Sequence, residues 1–533
     1  MRKHKITLFL CFLSFSVIGQ TWTQAIQVGG ENKEAITVMT SGESNDLYIG
    51  GIFDGNFTWD GTEVSSKGQD DLFLGCLDRN TYEWKWKMTS GSTLDDSWSD
   101  LKIDRDGNII CAGVFWVEMN LGGIKLENEV GGKSIFLAKF NPSGQIVWGK
   151  SFDGTALKEM RGIDTDADGN IYMTGYFREQ LFLDSISLEA RGGTDAFVAK
   201  LNAEGTPIWA RSFGGRKDTR GIDLGVMDEG HLALVGYYND TTYFDSYSLP
   251  AKTFDRDIFV SKLDSEGQVL WAKRAGGVFD EEPFDVAIDP GNNIWITGYV
   301  VGVLTVEEGF STQSTNATSD LFLLQYDPTG APLLAKAFGG TEAVQATSLQ
   351  LFSDQIILTG TYQGTVNLSP NLPTARAQET GFVFTLNQMG QAQWAKSLPA
   401  SGQVFSNQIQ VGGNSIWLAG TFNEDLGLSD ISLIGKGGFD AFIAELRPSP
   451  TAVKTIQQGP ILKVYPNPVS DTLYLENTQK VTHLRIEDAE SRVVFESKTA
   501  VTQIDLSHLP IGVYFLHYRI SELPKTRVVL IQR

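Results

Sequence analysis

Residues 170–177 read NIYMTGYF, residues 195–202 read DAFVAKLN, and Trp209 follows on a third run that ends in FGG from Phe213. Within these runs apolar residues alternate or lie nearly continuous, and Gly, Asn and Asp fill the gaps between them. That pattern marks short antiparallel strands joined by tight hairpins. The same order recurs along the chain. An Asp-x-Phe or near equivalent heads a run at Phe73, Phe136, Phe197, Phe259, Phe322, Phe382 and Phe442. A turn glycine then stands four residues before a tryptophan in Gly144/Trp148, Gly205/Trp209, Gly267/Trp271 and Gly390/Trp394, and the fifth copy has Leu334 at the Trp place. The glycine closing the NIYMTGYF-like run returns at Gly51, Gly113, Gly175, Gly236, Gly298, Gly360 and Gly420, a period of 60–62 residues.

Internal repetition at this period, with four strands per copy, predicts the blades of a β-propeller. Blades pack face to face, so both faces of a strand are apolar, as DAFVAKL and NIWITG are. The copies are out of phase with the ends. The seventh copy, DAFIAEL from Asp440, has no Trp strand after it, whereas TWTQAIQVGG from Thr21 is a Trp strand without a copy before it. A ring closes if that first strand becomes the outer strand of the last blade, which leaves no unpaired seam. The expected fold is therefore all-β: a seven-bladed β-propeller of four-stranded blades over residues 20–448, closed by the N-terminal strand. A linker at 449–459 and a small β-sandwich at 460–533 follow it.

Composition narrows the chemistry. The chain has 533 residues, 43 Lys and Arg against 64 Asp and Glu, and a formal charge of −21. That sign disfavours binding to a nucleic-acid backbone, which needs a clustered basic footprint. Of five histidines, His4 precedes the repeats and His483, His508 and His517 follow them, so the repeats own only His231. A histidine-rich metal centre or a Ser–His–Asp triad has almost no material there. Residues 1–19 read as a signal peptide, with basic Arg2, Lys3 and Lys5 ahead of the apolar run ITLFLCFLSFSVIG, and no segment of the remainder reads as a transmembrane span. Losing that leader takes the charge from −21 to −24. Cys76 and Cys111 then remain, and burial as small apolar residues is the expectation for both.

In DxxGNxYxTG, DAFxxKL and the Trp strand ending in GG, the repeat resembles the SBBP-type β-propeller repeat family. The resemblance implies a fold and no activity. The stretch from Leu263 to Trp271 is also similar to the tryptophan-docking repeats of quinone-dependent dehydrogenases, with no quinone or calcium ligand set beside it. After Leu446 the pattern breaks. Tyr465, Pro466, Asn467 and Pro468, then Asp471, Leu473 and Leu475, then Leu506, Leu509, Gly512 and Tyr514, resemble the type A sorting domain of the Bacteroidetes type IX secretion system. That resemblance implies the type IX secretion machinery as a partner, passage across the outer membrane, and either release or surface attachment.

Function on such a scaffold resides in the longer connections of one face. These include residues 93–100, 153–161, 216–220, 279–284 and the aromatic-rich excursion 238–256. Trp98 with Asp95, Asp96 and Asp100 is a candidate for stacking a sugar ring and accepting its hydroxyls. Arg161 and Arg220, read as equivalent places in adjacent copies, are candidates for holding a carboxylate. Glu281, Glu282 and Asp285 lie near the expected axis, and separation decides whether carboxylates of this kind hydrolyse glycosides. DTDADG, with Asp164, Asp166 and Asp168, resembles the start of a calcium loop but carries Gly175 at the twelfth place, where a bidentate Glu is required. No cofactor is expected. These readings favour an exported module binding a glycan, polypeptide or matrix component, over an extracellular polysaccharide-active enzyme or a purely adhesive surface protein.

Overall fold

The computed structural model describes residues 20–448 and 463–532, apart from 43–44, 129, 131, 252, 254, 308–309, 315–317, 368–371, 373, 376–378, 467, 477–480, 489–491, 500 and 521–522. The expected signal peptide and linker lie outside the described residues. Contacts divide the chain into two compact units, Met1–Pro448 and Ser449–Arg533.

The first unit is built from antiparallel four-stranded sheets, seven of them among the described residues, each opening on a first strand. These first strands are Glu34–Ser41, Ser97–Ile103, Lys158–Thr165, Thr219–Val226, Glu281–Ile288, Val344–Phe352 and Val404–Gly412. Sheets 1 to 6 take their strands in chain order. Sheet 7 takes its fourth strand from Gln20–Gly30, which pairs antiparallel with Asp440–Pro448 from Val28↔Ala441 to Gln20↔Pro448. Every first strand carries a β-bulge, visible as a one-residue register shift against the second strand. The bulged residues are Thr37, Ser99, Arg161, Ile222, Phe284, Thr347 and Asn407.

Apolar cores lie between consecutive sheets rather than in one centre. Leu74, Cys76 and Cys111 join sheets 1 and 2, and Val235 and Ile296 join sheets 4 and 5. Ile443 and Trp417 of sheet 7 share a core with Ile49 and Phe73 of sheet 1. Cys76 and Cys111 are both free thiols within such a core.

The repeated tryptophan explains the repeated glycine. Trp86, Trp148, Trp209 and Trp271 lie against Gly144, Gly205, Gly267 and Gly330 in the hairpin turn of the following sheet. There a Cβ would come within 2.5–2.9 Å of the indole. Each of these glycines has φ between +74° and +85°, where side chains are rare. Each indole N–H also donates to a carbonyl of that turn, at 2.9 Å to Pro142, 3.2 Å to Ala203, 3.0 Å to Ser265 and 3.2 Å to Pro328. Where sheet 5 has Leu334, Lys336 Nζ supplies the bond instead, donating to Gly390 O at 2.8 Å.

Buried acids anchor the entry to several first strands. Glu34 accepts from Gly30 N at 2.7 Å, Glu281 accepts from Gly277 N at 3.1 Å, and Asp96 accepts from Ser92 N. Burial pushes all three up, Glu34 to about 7, Asp96 to about 6 and Glu281 to about 9. The C-terminal unit pairs a three-stranded sheet, Lys463–Tyr465, Thr472–Glu476 and Gln503–Asp505, with a four-stranded sheet that includes Val481–Glu487 and Gly512–Ile520. Leu473, Ile486, Leu516 and Val529 fill the core they share.

Two stability outcomes follow from these contacts. Gly267→Ala is expected to lower urea-unfolding stability by about 1–3 kcal/mol more than Gly61→Ala. Gly61 has a similar φ of +74° but open space around it, so equal losses would show that indole docking contributes nothing. Glu281 is fully buried and its folded pKa lies above that of the unfolded chain. Stability is therefore undiminished below the unfolded value and falls as pH rises toward 9. Glu281→Gln is expected to match the native protein at pH 5 and exceed it at pH 9, by on the order of 2 kcal/mol, as read by thermal unfolding at both pH values.

Candidate functional site

A cavity of about 390 Å³ is lined by residues from each of the seven first strands, with Met39, Ser99, Arg161, Asp223, Gln350 and Gln408 among its walls. The bulge sets what faces it. An extra residue in a strand re-aims side chains and tightens the local twist, and here the same device repeats in every sheet while the residue carried differs each time. Ser99, Arg161, Ile222, Phe284 and Thr347 all line the cavity from bulge positions.

Four aspartates on these strands reach across to the next sheet. Asp100 accepts from Ile163 N at 3.0 Å, Asp164 from Val226 N at 2.8 Å, Asp223 from Val286 N at 3.0 Å and Asp285 from Leu349 N at 2.6 Å. The remaining links use neutral groups. Thr347 Oγ1 donates to Ser406 O at 2.6 Å, and Asn407 Nδ2 of sheet 7 donates to Ile36 O of sheet 1 at 2.9 Å. Burial raises Asp164, Asp223 and Asp285; the neighbouring Asp285 charge raises Asp223 further, whereas a side-chain hydrogen bond with Asp223 partly offsets the rise in Asp285. Lys102 stands among them, 3.4 Å from Asp100. Withdrawal from water opposes its charge, yet Asp100, Asp223, Asp164 and Asp285 together hold its ammonium above the usual range.

At one mouth of the cavity, sheets 3, 4 and 5 present an array of tyrosines and cations. The Arg220 guanidinium lies 4.6 Å from the Tyr176 ring centre and 5.8 Å from Tyr237, and Arg256 lies 4.9 Å from Tyr237 on the far side. Contacts of this kind contribute about 0.5–2 kcal/mol each. Each of these cations also has a carboxylate: Arg220 bonds Asp218 at 3.1 Å, Arg256 bonds Glu282 at 2.6 Å, and Lys133 bonds Glu159 at 2.6 Å. Phe284 stacks toward Tyr299 at 5.7 Å.

Several sequence-based expectations need correction. Trp98 is only 4% exposed. Its ring packs edge-on against Phe136 at 5.4 Å and its N–H donates to Phe73 O at 2.9 Å, so it is a core residue with no free face for a sugar. Asp96 is 1% exposed and accepts from the Ser92 hydroxyl and from the Ser92 and Trp116 N–H groups. Asp95 is exposed and bonds Asp70 N at 3.4 Å. Arg161 and Arg220 are not equivalent. Arg220 pairs with Tyr237 as Glu159 pairs with Tyr176 and Glu282 with Tyr299, whereas Arg161 is the bulged residue matched by Ile222. Glu281 is buried at the entry to its strand, away from Glu282, which serves Arg256. In the excursion 238–256, Tyr238 and Phe244 are buried, while Tyr243 and Tyr247 are exposed.

Asp164 and Asp166 do not converge on a cation. Asp164 faces Val226 N, whereas Asp166 accepts from Asn170 N at 2.9 Å and from Tyr172 OH at 3.0 Å within its own turn. Among the described residues no group of three acids, histidines or cysteines is placed to hold a metal ion. Asp166, Lys200, Asp228, Ser265 and Asp289 line a separate cleft of about 750 Å³, so the two kinds of repeat turn share one face.

In the C-terminal unit, Tyr465 stacks on Tyr474 at 5.9 Å, and Tyr514, 5% exposed, donates to Pro510 O at 2.9 Å. Pro466 and Pro468 flank the first strand's end, Gly512 opens the strand carrying Tyr514, and Asn467 lies outside the described residues.

Comparison with known proteins places these features. Residues 463–532 match the secretion system C-terminal sorting domain. The chain is 21% identical over 501 residues to an uncharacterized WD repeat-containing protein, L264, of Acanthamoeba polyphaga mimivirus, covering 75% of this chain and 36% of that protein. It is 22% identical over 331 residues to regulatory protein FlaEY of Caulobacter vibrioides, covering 57% and 34%. The chain thus spans about a third of the length of these curated relatives. Among solved structures it is similar to the quinohemoprotein alcohol dehydrogenase of Comamonas testosteroni, with 9% identity, a TM-score of 0.38 and coverage of 80% and 77%. It is also similar to PorZ, a surface component of the type-IX secretion system of Porphyromonas gingivalis, with 11% identity, a TM-score of 0.29 and coverage of 92% and 69%. No helix among the described residues is long and apolar enough to cross a membrane. The chain is a propeller-like all-β repeat protein whose C-terminal unit is a secretion-system C-terminal sorting domain.

Proposed function

We propose that this protein is an exported binding module: a closed seven-bladed β-propeller that engages an extracellular ligand and is delivered by the type IX route through its sorting domain. Closure is supported by the pairing of Gln20–Gly30 with Asp440–Pro448, by the shared core of sheets 7 and 1, and by the Asn407–Ile36 bond. The observation that carries the binding reading is the mouth formed by sheets 3 to 5. There the bulge residues Arg161 and Phe284 stand beside the Tyr176–Arg220–Tyr237–Arg256 array, while packing positions elsewhere repeat from sheet to sheet. Catalysis by the cavity carboxylates is disfavoured by their existing work, since Asp100, Asp223 and Asp285 each hold a backbone N–H of the neighbouring sheet.

The test pairs retention with cleavage. The full chain is incubated with immobilised bacterial, algal and host glycans and with extracellular polypeptides, and retention and new reducing ends are scored together. Retention without cleavage is expected, weakened about tenfold by the double change Phe284→Ala and Tyr299→Ala. Cleavage of any member, or binding indifferent to that double change, would reject this reading of the face. The export half predicts that, in a bacterium equipped with type IX secretion, the full chain reaches the surface or medium. A chain ending at Pro448 is expected to remain behind the outer membrane, as read by fractionation and immunoblotting.

A further inference from the structure

Arg161 is the exception among the cations around the cavity. It is exposed, it is displaced toward the cavity by the bulge of its strand, and it makes no hydrogen bond or ion pair with the described residues. Its neighbours Lys102, Lys133, Arg220 and Arg256 each have a carboxylate; of the two acids on its own strand, Glu159 is taken by Lys133 and Asp164 accepts from Val226 N. In a chain of charge −21, an exposed guanidinium left without a carboxylate at the mouth of a cavity points to an anion supplied from outside. A planar guanidinium suits a carboxylate, which it binds in bidentate fashion.

The rest of the wall specifies what carries that carboxylate. Ser99, Gln350 and Gln408 line the cavity and their side chains make no hydrogen bonds to the described residues, so hydroxyl and amide groups are available as donors and acceptors. Asp100, Asp223 and Asp285 offer further acceptor positions to hydroxyl groups. Phe284, half-buried, offers an apolar edge. A wall so rich in amide, hydroxyl and carboxylate groups matches a polyhydroxylated ligand better than an apolar peptide terminus.

We propose that this mouth is a saccharide subsite selective for uronate residues, with the sugar carboxylate on Arg161 and the ring hydroxyls toward Ser99, Gln350 and Gln408. The proposal rests on the assignment of this face as the binding face. The test is calorimetric titration of the full chain with trigalacturonate, its carboxyl-reduced counterpart and maltotriose. Trigalacturonate is expected to bind, to weaken in 0.5 M salt, and to lose about tenfold or more in affinity in Arg161→Gln. Arg105→Gln, on the opposite face where Arg105 bonds Ala167 O at 3.1 Å, is expected to leave it unchanged. Thermal unfolding of Arg161→Gln is expected to match the native protein, because no side-chain hydrogen bond or ion pair with the described residues is lost.

Equal binding of trigalacturonate and its reduced counterpart would overturn the uronate assignment, and so would indifference to Arg161→Gln. Absence of any trigalacturonate binding would overturn it as well. In each of those cases the binding face itself stands if some other ligand is retained and is lost in Phe284→Ala with Tyr299→Ala. It falls if no ligand responds to that pair.

Discussion

The indole laid on a glycine of the next sheet is the contact on which the rest of this molecule depends. A four-stranded sheet of this kind is apolar on both faces, so it cannot stand alone in water and must be covered on each side. The Trp–Gly dock sets both the distance and the orientation of that cover. The glycine gives the ring room, its positive φ forms the hairpin turn, and the turn's carbonyl accepts the indole N–H. One contact thereby couples hairpin chemistry within one sheet to the packing of its neighbour. The recurrence of the Trp and the turn Gly follows from it in the four sheets that dock this way, and sheet 5 substitutes Leu334 with the Lys336–Gly390 bond.

The same constraint separates scaffold from site. Positions that meet a neighbouring sheet repeat: the Asp-x-Phe strand, the turn glycine, the indole. Bulge positions share a backbone geometry but not a residue, running Thr37, Ser99, Arg161, Ile222, Phe284, Thr347 and Asn407. A structural role common to all sheets would favour one residue type there. The backbone device is constant because it shapes the cavity wall; Thr347 and Asn407 use it to bond the next sheet, and the side chains at Ser99, Arg161, Ile222 and Phe284 differ from one another. Seven internal copies therefore distinguish packing from recognition within a single chain.

How much of this was legible in the sequence depended on the range of the interactions involved. The strands, the turns, the repeat and the sorting segment are written in local patterns of two to five residues, and all were read from them. Trp98 was misread because DDSWSD has the composition of a solvated loop, and only the adjacent sheet, with Phe73 O and Phe136, shows that the ring is enclosed. The equivalence drawn between Arg161 and Arg220 failed because a bulge adds one residue without any mark in composition, so counting along the chain mistook a bulged place for a paired one. The DTDADG turn looked like an ion loop because Asp164 and Asp166 are two residues apart. In a strand-to-turn transition that spacing sends one carboxylate to the neighbouring sheet and the other into its own turn. The Tyr176–Arg220–Tyr237–Arg256 array was not found, since its members come from two adjacent sheets and from three separate stretches of chain that no local signal links.

The excess of acids illustrates why counts of charge say little about chemistry in such a protein. A carboxylate accepts several hydrogen bonds and donates none, which makes it the natural partner for backbone N–H groups exposed by turns and bulges. Asp104, Asp166 and Asp289 serve turns in this way, and Asp100, Asp164, Asp223 and Asp285 serve the joints between sheets. Their neutralisation is largely dipolar, so the chain can be strongly acidic without needing an equal number of cations. Lys102 shows the point at which dipoles no longer suffice, where four acids from four sheets come within reach of one another and a charged group is required. A guanidinium without a carboxylate then stands out beside Lys102, Lys133, Arg220 and Arg256, each of which has one. That contrast, rather than the presence of any one residue type, makes the bulge of sheet 3 the informative position in the cavity.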